Sequence, residues 1–247
     1  MGLLVRGTPQ VQARDDKSMT VVEHLEELRR ALIISSLAWA GCTIAAWFLK
    51  DMVLGFLVHR ANLPHALVVL SPTGGFMVSL KIAIYLGIAL AAPIVFWQAW
   101  WFISPGLKAS EQKLILPLIV ATTFFFLLGV AFSFFSLPLI MRVLMGFFPS
   151  DLLSPMFSAD EFIGFVVGLC LAFGIVFELP VVLWVLGMMR IISSRWLYRT
   201  HAYWIIGLGL LANVMTPGAD PLTPLIVFIP LVVFWEATAL LLKITGR

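Results

Sequence analysis

The stretch Phe162–Met189, FIGFVVGLCLAFGIVFELPVVLWVLGMM, decides the fold class of this chain. It is long enough and apolar enough to be read as a membrane-spanning helix, and Glu178 is the one charged residue in it. A carboxylate in hydrocarbon costs roughly 2.5–3.5 kcal/mol on insertion scales, so an intramembrane acid is read first as a functional group. Pro180 follows close behind Glu178. It lacks an N–H and its ring meets the carbonyl of Val176, which predicts a kink beside the carboxylate. The bland reading of Glu178 is an acid bonded to a neighbouring helix for packing alone.

The rest of the composition agrees with a membrane protein. The 247 residues are 61% hydrophobic and 12% charged, against about 25% charged in soluble domains. The mean hydropathy is +1.03. A net charge of +3, with basic residues spread between apolar runs, gives no sign of a nucleic-acid partner. Cys42 and Cys170 both lie inside apolar runs and read as packing residues rather than a disulfide or a metal pair. The first 20 residues include Asp15 and Asp16 and no apolar core, so no removable signal peptide is expected.

Six spans are expected, at about Leu28–Leu49, Phe76–Phe102, Leu114–Leu137, Phe162–Met189, Tyr203–Met215 and Leu225–Leu242. The fold class is therefore all-α: one polytopic membrane domain over residues 21–247, preceded by an N-terminal extension of residues 1–20. The last two spans are shorter than the roughly 20 residues that cross a bilayer core, and could instead form one re-entrant hairpin. The long runs lack strand alternation, so a β-barrel is excluded.

With six spans both termini share a side. That side collects Arg6, Arg14, Lys17, Arg29, Arg30, Lys108, Lys113, Arg190, Arg195, Arg199, Lys243 and Arg247. The other has Lys50, Arg60 and Arg142, with Lys81 just inside a span. Basic residues accumulate on the cytoplasmic side of membrane proteins, which places both termini in the cytoplasm.

Local signals refine this picture. The outer connections Asp51–Gly75 and Pro138–Glu161 are long, Pro-containing and apolar for loops, and are expected to fold over the bundle. Ser158-x-x-Glu161 and Thr20-x-x-Glu23 match the capping box, the first opening the fourth span and the second starting a helix near Val21. Thr216–Pro221 reads as a tight outer turn. Gly164, Gly168 and Ala172 have the spacing that permits close helix contact. On the first helix, Glu26 and Glu27 stand at helical pair spacing from Arg30, as in a solvated, self-paired entrance. Glu111, in the short connection Ser104–Lys113, reads by itself as an ordinary loop acid.

Taken in order, several fragments resemble the TatC family, the multispanning receptor subunit of the twin-arginine protein translocase. They are His24-Leu-Glu-Glu-Leu-Arg29, Ser71-Pro-Thr73, Ala92-Pro93, Gln98-x-Trp-x-Phe102 and Ser104-Pro-Gly-Leu107 with Glu111. Ala172-Phe-Gly174, Phe177-Glu-Leu-Pro180, Thr216-Pro217 with Asp220, and Glu236 after an aromatic complete the set. The resemblance covers about Val21–Lys243. Gly74-Gly75, Pro224 and Trp97 depart from the family pattern, where an acidic residue, a glutamine and a tyrosine are usual.

The resemblance implies a protein-transport receptor in the inner membrane of a bacterium, without enzymatic activity, cofactor or metal. It implies recognition of the paired arginines of signal peptides by Glu27 and Glu111, with Arg29 beside them. A carboxylate can accept a guanidinium's planar donor fork bidentately, which lysine cannot reproduce. Glu178 matches the family's intramembrane glutamate, facing a lipid-accessible surface where the single-span subunits TatA or TatB would dock, with Gln98 in the same polar patch. Self-association and use of the proton-motive force are implied as well. Lys81 matches a family lysine, although snorkelling explains it equally well. Asp220 is expected to cap the sixth helix. Glu236, too far from Lys243 to pair with it, is expected to make a structural bond.

Two other classes are open to the residues alone. One is a proton- or ion-coupled small-solute transporter with Glu178 as its coupling site, although no internal repeat is visible. The other is an intramembrane enzyme, against which stands the absence of GxSxG, HExxH, P-loop and Cys/His motifs.

Overall fold

A computed structural model describes residues 21–63, 66–107, 112–147, 156–215 and 223–245. Residues 1–20, Glu111, Asp220 and the turn Thr216–Pro221 lie outside the described residues. The described chain is all-α. Its helices are α1 (Val21–Trp47), α2 (Lys50–Ala61), α3 (Gly74–Ile103), α4 (Ile115–Met145), α5 (Ala159–Val176), α6 (Leu179–Met188), α7 (Ser194–Arg199), α8 (His201–Met215) and α9 (Thr223–Ile244). Five helical stretches among them are long and apolar enough to cross a membrane: α1, α3, α4, α5 with α6, and α9. α8 is apolar but shorter.

The stretch that carries Glu178 is the most enclosed of the five. In Ala159–Met188, 56% of the span window is buried, against 6% in α1. α5 packs on α3 and α4, and α6 on α9, which in turn carries α7 and α8. α1 is peripheral and packs on α3, held there by the Trp39 indole N–H donating to the Ile84 carbonyl at 3.1 Å. Phe173, Ile163, Leu137, Leu231 and Trp235 are fully buried at the centre.

The kink expected at Pro180 is a break between two helices. α5 ends at Val176 and α6 begins at Leu179, with Pro180 in its first turn, where a missing N–H costs nothing. Glu178 N–H closes onto the Ile175 carbonyl at 3.1 Å, and Val182 N–H onto the Glu178 carbonyl at 3.0 Å. The carboxylate therefore sits on the hinge itself.

The outer segments differ from expectation. α4 does not stop at Leu137 but continues through Pro138 to Met145. Proline removes one helical donor, and membrane helices tolerate this where another group takes the stranded carbonyl. Here Arg60 Nε donates to the Phe134 carbonyl, four residues before Pro138, at 3.4 Å. The first outer connection contains α2, and its end pairs with the second. Val68 N–H bonds the Phe157 carbonyl and Ala159 N–H bonds the Val68 carbonyl, both at 2.9 Å. This backbone bridge satisfies the first donor of α5. Ser158 does occupy the N-cap position, yet its side chain makes no cap hydrogen bond, so the capping-box expectation holds for the position and not for the bond.

Of the Gly164–Gly168–Ala172 spacing, Gly164 makes no close helix contact. A Cβ on Gly164 would only reach Lys81 Nζ at 3.9 Å. A Cβ on Gly129 of α4 would collide with the Phe173 carbonyl of α5, and one on Gly174 would meet the Phe126 ring at 2.7 Å. The α4–α5 crossing thus uses one glycine from each helix.

Candidate functional site

At the end of the bundle where α1 begins, α1 and α3 enclose a groove of about 330 Å3, lined by Glu27, Arg30 and Ile34 on one side and Trp97, Gln98 and Trp101 on the other. It opens into a wide depression bordered by Glu23, Glu26, Glu27, Arg29 and Arg30. α1 supplies these charges because its first two turns precede its apolar run. The His24 ring stacks on Phe102 at 4.2 Å and 10° between planes, which fixes the α1 entrance against the end of α3.

The self-paired entrance does not form. No ion pair joins Arg30 to Glu26 or Glu27 among the described residues. Glu27 instead lies 3.7 Å from His24 Nδ1, and its buried Oε2 has no hydrogen-bond partner. The same Oε2 is the atom nearest His24, at a distance too long for a hydrogen bond, so it carries a desolvation cost that a donor would relieve. The ends of the Glu111 connection close on the same face, where Gln112 Nε2 donates to the Ser104 and Leu107 carbonyls at 3.3 and 3.4 Å.

Glu178 forms a second, separate site. Its Oε1 is buried and has no hydrogen-bond partner, and the Phe126 backbone of α4 lies beside its carboxyl. Ile175 and Val182, one turn to either side, are 56% and 50% exposed. At this spacing they share a face with Glu178, so an acid stands in the middle of an outward apolar stripe. Gln98 lines the α1–α3 groove with Glu27; a contact with Glu178 is not among the described interactions.

Lys81 and Glu236 make structural bonds. Lys81 is more than a snorkelling lysine: its Nζ lies 2.6 Å from Asp160 Oδ1, tying α3 to the first turn of α5. Glu236 Oε1 lies 3.2 Å from His201 Nε2, joining α9 to α8, while the His201 ring packs against Trp235 at 4.9 Å. His24, Asp160 and His201 are partners that the sequence does not mark as site residues. His24 opens the His24–Arg29 motif, whereas Asp160 and His201 carry no local signal. No group of His, Cys, Asp and Glu able to hold a metal occurs among the described residues.

The model of the family "Sec-independent protein translocase protein (TatC)" matches residues 23–230. The chain belongs to the TatC family. It is 39% identical to the Sec-independent protein translocase protein TatC of Carboxydothermus hydrogenoformans, over 93% of this chain and 95% of that one. It is 35% identical to the TatC protein of Aquifex aeolicus, over 93% and 97% respectively. A crystal structure of the twin arginine translocase receptor TatC superposes with a TM-score of 0.79 at 33% identity, covering 89% of this chain and 99% of that one. The protein is thus a multi-pass membrane subunit of the Sec-independent translocase and not an enzyme. Membership in TatC displaces the solute-transporter and intramembrane-enzyme alternatives, because the match spans nearly all the helices that would have had to build them.

Proposed function

We propose that this chain is the receptor subunit of its translocase: it binds twin-arginine signal peptides at the face where α1 begins and recruits single-span partners at Glu178. The observation that carries the reading is Glu27, whose Oε2 is buried in the α1–α3 groove without a hydrogen-bond donor. A guanidinium supplies donors in a planar fork that fits a carboxylate. Glu27 takes one arginine of the pair and Glu111 the other, with Arg29 at the border of the same depression.

Glu178 is the docking point for a transmembrane helix of TatA or TatB. Its buried Oε1 has no hydrogen-bond partner, beside the exposed Ile175 and Val182, and a polar residue of an incoming helix would relieve the cost of the acid. Both termini lie in the cytoplasm, with α8 as a short span and α9, expected to be short, as a full one of 22 residues, and export draws on the proton-motive force. The test is export of a folded reporter whose signal carries Arg-Arg or Lys-Lys, in cells with and without this protein. Loss of the protein abolishes only the Arg-Arg-dependent export. If export of the Arg-Arg reporter survives its loss, the reading is wrong.

A further inference from the structure

Beneath α2, between α3, α4 and α5, lies a half-enclosed cleft of about 100 Å3 with an almost wholly apolar lining. Its walls include Leu57 of α2, Ile82 and Ala89 of α3, Phe126 and Phe134 of α4, and Val167 of α5. From Ile82 to Ala89, and from Phe126 to Phe134, the walls run roughly 10–12 Å along the helices at 1.5 Å per residue. The cleft is therefore elongated along the bundle, in the direction in which acyl chains lie. Water gains nothing in such a space, and unfilled walls forgo dispersion contacts.

A cation stands at its rim. Val53 and Leu57 line the cleft from α2, and Arg60 continues their stripe at the next helical position. Its Nε is held by the Phe134 carbonyl at 3.4 Å, the carbonyl stranded by Pro138. Its guanidinium carbon lies 5.7 Å from the Phe135 ring centroid. One donor is thereby fixed; among the described residues no acceptor takes the others of the fork and no carboxylate pairs with Arg60. The same end of the bundle carries the Trp47–Phe76 ring pair at 6.0 Å and Lys50 over Trp47 at 5.5 Å, the mixture of aromatic and basic side chains found at headgroup level. Met52 and Phe56 are 68% and 55% exposed on α2, as in a helix lying in the membrane interface.

We propose that the cleft and Arg60 form a site for one anionic glycerophospholipid of the leaflet away from the α1 entrance. An acyl chain fills the cleft and the phosphate accepts from the unused guanidinium N–H groups, a pairing that suits arginine's fork. A partner's transmembrane helix does not suit this space, because a helix with its side chains is about 10–12 Å across.

The test uses the full chain purified in mild detergent. Native mass spectrometry then measures retention of phosphatidylglycerol and of phosphatidylcholine with the same acyl chains. The wild type retains one phosphatidylglycerol in preference to phosphatidylcholine. Arg60→Gln lowers that preference roughly tenfold, as loss of a charge-assisted contact should, and Arg60→Lys keeps part of it. Ala89→Phe, which fills the cleft, lowers retention of both lipids; should it fail to fold, the two Arg60 variants decide alone. Equal retention of the two lipids by the wild type, or an unchanged preference in Arg60→Gln, overturns the proposal. So does an Ala89→Phe variant that keeps its lipid but loses crosslinking to a single-span partner, which would make the cleft a helix-docking groove.

Discussion

Lys81 Nζ lies 2.6 Å from Asp160 Oδ1, and this pair joins α3 to the start of α5 on the side opposite the Glu27 groove. Both side chains are partly exposed, 37% and 46%, so solvent screens the attraction and its worth is at most about 1 kcal/mol. Lys81→Ala should lower the thermal midpoint of the purified protein slightly. Exchanging the charges, with Lys81→Asp and Asp160→Lys together, should recover much of the loss. A double variant no better than the worse single one would show that the pair contributes nothing.

Gly129 lies against the Phe173 carbonyl, a backbone atom that cannot step aside. Gly129→Ala should destabilise the protein by roughly 1–3 kcal/mol, the range for overpacking a close contact. Gly164→Ala meets only Lys81 Nζ at 3.9 Å and should be near neutral. Thermal unfolding of the two variants in the same detergent checks the contrast, and equal midpoints would refute the assigned crossing.

Glu178→Ala should leave signal-peptide crosslinking at the α1 entrance largely intact and reduce crosslinking of a single-span partner near α5 and α6. Glu178→Gln, which can still hydrogen-bond, should reduce it less. Loss of signal-peptide crosslinking in Glu178→Ala would end the division of labour between the two sites.

Much of this arrangement was legible in the residues, and the parts that were not share a physical cause. Apolar runs fixed where the long helices lie, and Pro180 marked the α5–α6 break, because both signals are local. Glu178 stands out in the sequence as a costly group, and in the structure its Oε1 is buried without a hydrogen-bond partner. Pro138 misled because proline terminates helices in water; its stranded carbonyl at Phe134 is taken by Arg60 from another segment. α2 was hidden by its short length and charged ends, its apolar residues Met52, Val53, Leu54, Phe56, Leu57 and Val58 forming a near-continuous run with no helical period. The Lys81–Asp160 and His201–Glu236 bonds join distant segments. Which glycines meet depends on crossing geometry that spacing does not encode. Glu26 and Glu27 had the spacing to pair with Arg30, but His24 is the neighbour that Glu27 took.

The central claim is that Glu27 and Glu111 read the two arginines. The most direct measurement is photocrosslinking of a purified signal peptide, bearing Arg-Arg or Lys-Lys, to a probe beside the α1–α3 groove. In the wild type the Arg-Arg peptide crosslinks and the Lys-Lys peptide does so far less. Glu27→Ala and Glu111→Ala should each weaken the Arg-Arg signal roughly tenfold or more, the effect of losing a charge-assisted hydrogen bond of about 1.5–3 kcal/mol, without lowering the thermal midpoint. Undiminished crosslinking in either variant, or equal crosslinking of the two peptides to the wild type, would contradict the account.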